Sequence, residues 1–150
     1  MLARLSLALA MALAAALPAG ALELNAFRAE HKLPPLTVSA SLAGAAHEHA
    51  RDLARRGQLD HKDFRKRMDG IASTAAENVA VIGCARPDAN PAPAVTGRAC
   101  GCDSQSCAMQ MWAKSAGHRR NMLMKGISHY GIASATGDNG RRYWVLVLGN

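Results

Sequence analysis

His61, Glu77 and His118 are the side chains whose types and surroundings can do chemistry. His61 closes the segment Gly57-Gln-Leu-Asp-His61, and His118 lies in Ser115-Ala-Gly-His118-Arg-Arg-Asn-Met-Leu123. Both are expected in turns beside helix ends, where an imidazole projects into a cleft and can ligate a divalent ion or move protons near neutral pH. Glu77, in Ala75-Ala-Glu77-Asn78-Val79, is the one acidic residue between Ile71 and Cys84, and a carboxylate buried there needs a partner. Taken alone, each also has a plainer reading: His61 as a solvated turn residue, His118 as a helix-end hydrogen bonder, Glu77 as a cap for a nearby amide. His47 and His49 flank Glu48, but His47-Glu-His-Ala-Arg51 lacks the H-E-x-x-H spacing. Residues two apart do not share a helix face, so His49 is expected to face the core and His47 the solvent. His31 and His129 receive no role. The chain holds neither a glycine-rich phosphate loop nor a nucleophile elbow.

The elements that must position these groups follow from periodicity and punctuation. Leu24 to His31 has a short helical pattern that stops before Pro34-Pro35, since proline lacks the amide donor and disfavours helix before it. A longer helix is expected from a cap at Ser39 or Ser41 to about Arg56. Its apolar stripe is Leu42, Ala46, His49, Ala50 and Leu53, and Gly57 ends it. Asp63 to Met68 is expected to be a basic turn. Glu77 to Ile82 fits strand and helix equally. A further helix should start at Ser104 or Ser106, carry Ala108, Met111, Trp112 and Ser115 on one face, and break at Gly117. Tyr130–Ala135 and Tyr143–Leu148 are strand-like runs joined by a hairpin turn at Gly137-Asp138-Asn139-Gly140. Helices first and strands last predict an α+β fold with an antiparallel sheet covered by helices.

The apolar run Leu5–Leu17, preceded by Arg4 and followed by Pro18-Ala19-Gly20-Ala21, has the layout of a secretory signal peptide cleaved after Ala21. At about thirteen residues it is short of the roughly 20 that span a bilayer, and no second such run follows, so no membrane span is expected. Residues 22–150 then make one domain, expected to be secreted or periplasmic and monomeric. Removing the leader takes one of eighteen basic residues and none of the eleven acidic ones, leaving a charge of about +6. That excess favours anionic envelope polymers or lipid headgroups. Nucleic acid is not expected, because the basic residues are scattered without an aromatic-rich strand beside them.

Cys84, Cys100, Cys102 and Cys107 fall in one Pro-, Gly- and Ala-rich segment of an exported chain, which points to two disulfides in a loop at residues 84–107. Pairing Cys84 with Cys107 would close a strained ring between Cys100 and Cys102. The expected pairings are therefore Cys84–Cys100 with Cys102–Cys107, or Cys84–Cys102 with Cys100–Cys107. A four-cysteine zinc site is the alternative, although the paired C-x2-C knuckles of such modules are absent.

The ordered set of motifs resembles a family. Leu24-Asn25-x-Phe27-Arg28, Leu33-Pro34-Pro35-Leu36, Leu42 with Ala46, His49-Ala50-Arg51-Asp52-Leu53-Ala54, Asp60-His61, Glu77-Asn78-Val79-Ala80, Trp112-x2-Ser115-x-Gly117-His118-Arg119-x-Asn121-Met122-Leu123 and Tyr143-Trp144 are similar to the CAP superfamily. These are the cysteine-rich secretory, antigen 5 and pathogenesis-related 1 proteins, and the likeness is to short bacterial members with a lone SCP-like domain. The resemblance implies an α-β-α sandwich around an antiparallel sheet. It also implies a cleft lined by two histidines and acidic residues, which in several members binds zinc or another divalent ion. By motif these positions fall on His61, Glu77 and His118, with Asn78 beside the glutamate. Three features depart from the pattern: Ala76 replaces a glycine, the second cleft glutamate of eukaryotic members falls near Ser115, and the cysteine segment is longer than in short bacterial members.

The resemblance implies a non-enzymatic binding module for a lipid or envelope component, with Zn2+ or another divalent cation as the one cofactor to expect. The alternative is a metal-dependent hydrolase in which His61 and His118 hold the ion and Glu77 is the general base. Two protein ligands are one fewer than catalytic zinc normally has, which ranks this second. A third expectation is an envelope-stabilising or inhibitory protein acting through its basic surface and cysteine loop.

Overall fold

A computed structural model of the chain describes residues 23–83 and 103–150. The leader, and Cys84, Cys100 and Cys102 with their expected pairings, lie outside the described residues. In chain order the elements are α1 (Leu24–Glu30), β1 (Thr37–Val38), α2 (Ala40–Arg56), α3 (Phe64–Met68), β2 (Ala75–Ile82), α4 (Gln105–Lys114), α5 (Ala116–Met122), β3 (His129–Thr136) and β4 (Arg142–Gly149).

The sheet runs β1-β3-β4-β2, with β4 antiparallel to both β3 and β2. Strand β4 is buried on both faces, which is why its sequence is a continuous apolar run and not an alternation. Tyr143, Val145 and Val147 pack on α2 through Leu42, Ala46, Ala50 and Leu53. Trp144, Leu146 and Leu148 pack on the other face against Leu24 and Phe27 of α1, Ala108, Met109 and Trp112 of α4, and Met122 of α5. The result is the α-β-α sandwich, with one departure from the expected antiparallel sheet: the two-residue β1 pairs parallel with β3, Thr37 opposite His129. The edge it occupies needs only two residues of pairing, too few to leave a periodic signal.

Local chemistry fixes the ends of α2. Ser39 is extended and its Oγ accepts the Leu42 N–H, while Gly57 closes the helix in the left-handed region at φ 64°. Residues Gly137 to Arg141 form the β3–β4 hairpin, with Gly137 N–H donating to the Arg141 carbonyl. Gly131 lets β3 lie directly on α2, since a Cβ there would fall 2.1 Å from Ala43 N.

Three local expectations are corrected. Phe64–Met68 is a helical turn and not a bare basic turn, opened by Asp63 in the left-handed region. On α4 the buried stripe is Ala108, Met109 and Trp112, whereas Met111 is exposed. Trp112 sets that face by donating its indole N–H to the Val79 carbonyl at 3.0 Å, and Met109 one turn earlier shares it. The break after α4 falls at Ser115, which is extended and joins α4 to α5, and Gly117 lies inside α5.

Candidate functional site

The candidate site is built on β2, a strand at the edge of the sheet. Its alternation sends Glu77 and Val79 to the face that packs on α2, and Asn78 and Ala80 to the face under α4 and α5. The outward carbonyls of Glu77 and Val79 are covered by side chains: Asn121 Nδ2 donates to the Glu77 carbonyl at 3.2 Å, and Trp112 takes the Val79 carbonyl. Covering the edge this way satisfies its backbone and brings α5 against it.

Glu77 is 5 % exposed and surrounded by basic side chains. Its Oε1 accepts from His61 Nδ1 at 2.8 Å and from Arg67 Nη2 at 3.0 Å, and its Oε2 accepts from Arg67 Nη1 at 2.7 Å. A carboxylate accepts and does not donate, so a neutral His61 carries its proton on Nδ1 and leaves Nε2 as a lone-pair donor. His49, buried on α2 as expected, completes the surround. Its Nε2 stands 3.8 Å from Glu77 Oε1 but donates to the Asp60 carbonyl at 3.0 Å, and the shorter contact is where the proton goes.

The loop carrying His61 is fixed from below. Arg56 donates to both Asp60 oxygens, Nη1 to Oδ2 at 2.7 Å and Nη2 to Oδ1 at 3.1 Å, and to Asp52 through Nε at 2.7 Å. Asp60 also accepts the Lys62 N–H. The bonds to Arg56 hold the Asp60 carboxyl at about 2, below its ordinary 3.8, although partial burial opposes the shift.

His118 stands on α5, half-buried. Asn78 Nδ2 donates to the His118 carbonyl at 3.0 Å and Asn121 Nδ2 donates to Asn78 Oδ1 at 2.9 Å, so the fully buried Asn78 amide, itself held by Asn121, fixes the backbone of this turn. Burial pushes the His118 imidazole below its ordinary 6.5, and the positive charge of a protonated His61 lowers it further. Arg28, wholly buried on α1, donates to the carbonyls of Pro34, Met122 and Met124 and ties the C-terminal end of α5 to α1.

His61 and Glu77 are thus joined on one face of β2, while Asn78 on the other face holds the backbone of His118. Ser115 sits at the α4–α5 break, half-buried, where its carbonyl accepts the Arg119 N–H and its side chain caps neither helix. Cys107 lies in the first turn of α4 against the core. Among the described residues no group of three or more His, Cys, Asp or Glu is arranged to hold a metal ion. Sequence reasoning missed Arg67, whose place in a run of basic residues concealed a contact made ten positions away. Asn121, Asp60 and Arg28 stood in motifs without an assigned role.

The chain belongs to the cysteine-rich secretory protein (CAP) family, whose model matches residues 22–148. Three solved structures share its fold. An outer surface protein of Borrelia burgdorferi is 14% identical with a TM-score of 0.64, over 85% of this chain and 86% of that one. An extracellular protein containing an SCP domain from Bacillus anthracis is 20% identical with a TM-score of 0.61, over 85% of this chain and 37% of that one. A cysteine-rich secretory protein from Staphylococcus aureus is 19% identical with a TM-score of 0.55, over 83% of this chain and 35% of that one. No curated protein matches the chain. No helix among the described residues is long and apolar enough to cross a membrane.

Proposed function

We propose that the protein is an exported, non-enzymatic binding domain whose His61–His118 cleft holds a divalent cation and, through it, a ligand from the cell envelope. The observation that carries this reading is the His61–Glu77 bond, which orients one imidazole with its Nε2 lone pair unspent on Glu77. The lowered affinity of His118 for protons supports it, because a neutral imidazole is the form that ligates metal. Two imidazoles suit zinc, and a bound ion would contribute Lewis acidity and coordination positions left to an incoming ligand. The similarity to extracellular and outer-surface proteins supports export. The charge of about +6 left after removal of the leader favours an anionic lipid headgroup or envelope polymer as that ligand.

The position of Glu77 favours binding over hydrolysis. A general base must reach the water it deprotonates, whereas this carboxylate is enclosed and bonded to His61 and Arg67. Its chemistry is to orient an imidazole. Calorimetric titration of the oxidised protein with Zn2+ tests the proposal. Saturable binding is expected in the wild type and its loss in both His61→Ala and His118→Ala. A wild-type protein that folds normally and binds no divalent ion would overturn the reading and move the function to the basic surface.

A further inference from the structure

Arg67 touches Glu77 and the backbone of the residue that follows its partner His61. Its two terminal nitrogens take the two carboxylate oxygens of Glu77, and its Nε donates to the carbonyl of Lys62, the residue after His61, at 3.1 Å. The guanidinium lies 5.5 Å from the centroid of Phe64, so its plane is also held by packing. The side chain retains 17% exposure, while the carboxylate it grips retains 1%. One arginine therefore fixes the acceptor and the backbone that carries the donor.

We infer that Arg67 is a positioning residue for the cleft: by holding Glu77 and the Lys62 carbonyl together, it locks the His61 ring in the Nδ1–H tautomer with Nε2 presented to a ligand. This deepens the binding function proposed above, on which it rests only for the use to which Nε2 is put. Lysine cannot substitute, because a point charge does not reproduce a planar fork that bonds two oxygens and a third carbonyl at once. Without the fork, the Glu77 carboxylate and the 61–62 backbone lose their common anchor and the imidazole can exchange tautomers.

The test is long-range proton–nitrogen NMR of the histidine rings of the full chain, at a pH above the ordinary imidazole range. The wild type should show His61 as a single Nδ1–H tautomer. Arg67→Gln and Arg67→Lys should both show mixed tautomers at His61, with the His31 and His129 rings unchanged as a control for folding. Zinc affinity should fall about tenfold in both variants, the size of effect typical of partners that orient a ligand. An Nε2–H tautomer in the wild type would overturn the inference without any variant, and so would an unaltered Nδ1–H tautomer in folded Arg67→Gln. If the tautomer shifts but zinc binds neither protein, the inference stands and the cation-binding reading falls.

Discussion

Glu77 and Asn78 are neighbours in β2, yet their side chains work on opposite faces of the sheet, Glu77 bonding the His61 ring and Asn78 the His118 carbonyl. The pleat sends consecutive residues to opposite faces, so one dipeptide on an edge strand bonds both the His61 ring and the turn that carries His118. The two partners lie in distant parts of the chain, 16 residues before Glu77 and 40 after Asn78. Adjacent backbone of β2 therefore links the two contacts.

Asn78→Asp should loosen the turn that carries His118 while leaving the shape of the side chain unchanged. The substitution removes the amide donor and sets a carboxylate oxygen against the His118 carbonyl in a fully buried position. A cost of about 2–3 kcal/mol is expected at neutral pH, the range for a buried polar group left without its partner. Urea denaturation gives the value, and amide exchange should quicken in α5 before it does in α2. Uniform loss of protection across both helices would show that Asn78 supports the whole fold and not that turn alone.

The fold was legible where local chemistry decides it. Ser39 and Gly57 bracket α2, residues 137–140 make the hairpin, and the apolar run at Tyr143–Leu148 is the twice-buried strand. The His61–Glu77 contact was legible only through the order of the family's motifs, because spacing says nothing about residues that meet from different elements. Arg67 was invisible for the same reason. The α4 stripe was misplaced because Met111 and Met109 fit a helical period equally well, and the bond from Trp112 to Val79, a tertiary contact, chooses between them. Propensity puts the helix break at Gly117, whereas the chain turns at Ser115.

Two glycines on opposite sides of the sheet should respond to alanine with opposite signs. At Gly131 a Cβ would sit 2.3 Å from Leu42 C and 2.1 Å from Ala43 N, both backbone atoms of α2 that cannot rotate away. Gly131→Ala should cost about 3 kcal/mol or prevent folding, as overpacking of this kind does. At Gly117, inside α5, a Cβ would meet nothing within 4 Å. Gly117→Ala should stabilise by about 0.5–1 kcal/mol through the lost entropy of the unfolded chain. Thermal melts of the two variants test the pair, and a destabilised Gly117→Ala would mean that α5 needs a conformation alanine resists.

His118 should titrate below its ordinary 6.5, and removing His61 should return it only part of the way. Burial is the larger cause and survives His61→Ala; the charge of His61 is the smaller and does not. Because the folded chain binds this proton less tightly than the unfolded chain, stability should fall as pH drops from about 6.5 through the folded value. Proton NMR of the His118 ring in both proteins measures the shift. A full return to the ordinary value in His61→Ala would mean that charge, and not burial, sets it.

Acid should release the loop that carries His61 in a window fixed by Asp60. Its carboxyl sits at about 2 when folded and 3.8 when free, so between these values the unfolded chain binds more protons and stability rises with pH. The contribution of the Arg56–Asp60 bond is therefore complete above about pH 4 and lost as pH falls through about 2. Asp60→Asn removes the charge that Arg56 grips. The stability difference between wild type and Asp60→Asn should be constant from pH 7 to about 4 and shrink towards zero by about pH 2. The Asp60 side chain is about a third exposed, so high salt should shrink the plateau without moving the window. A difference that persists unchanged to pH 2 would show that the titrating charge of Asp60 is not what holds the loop beneath His61.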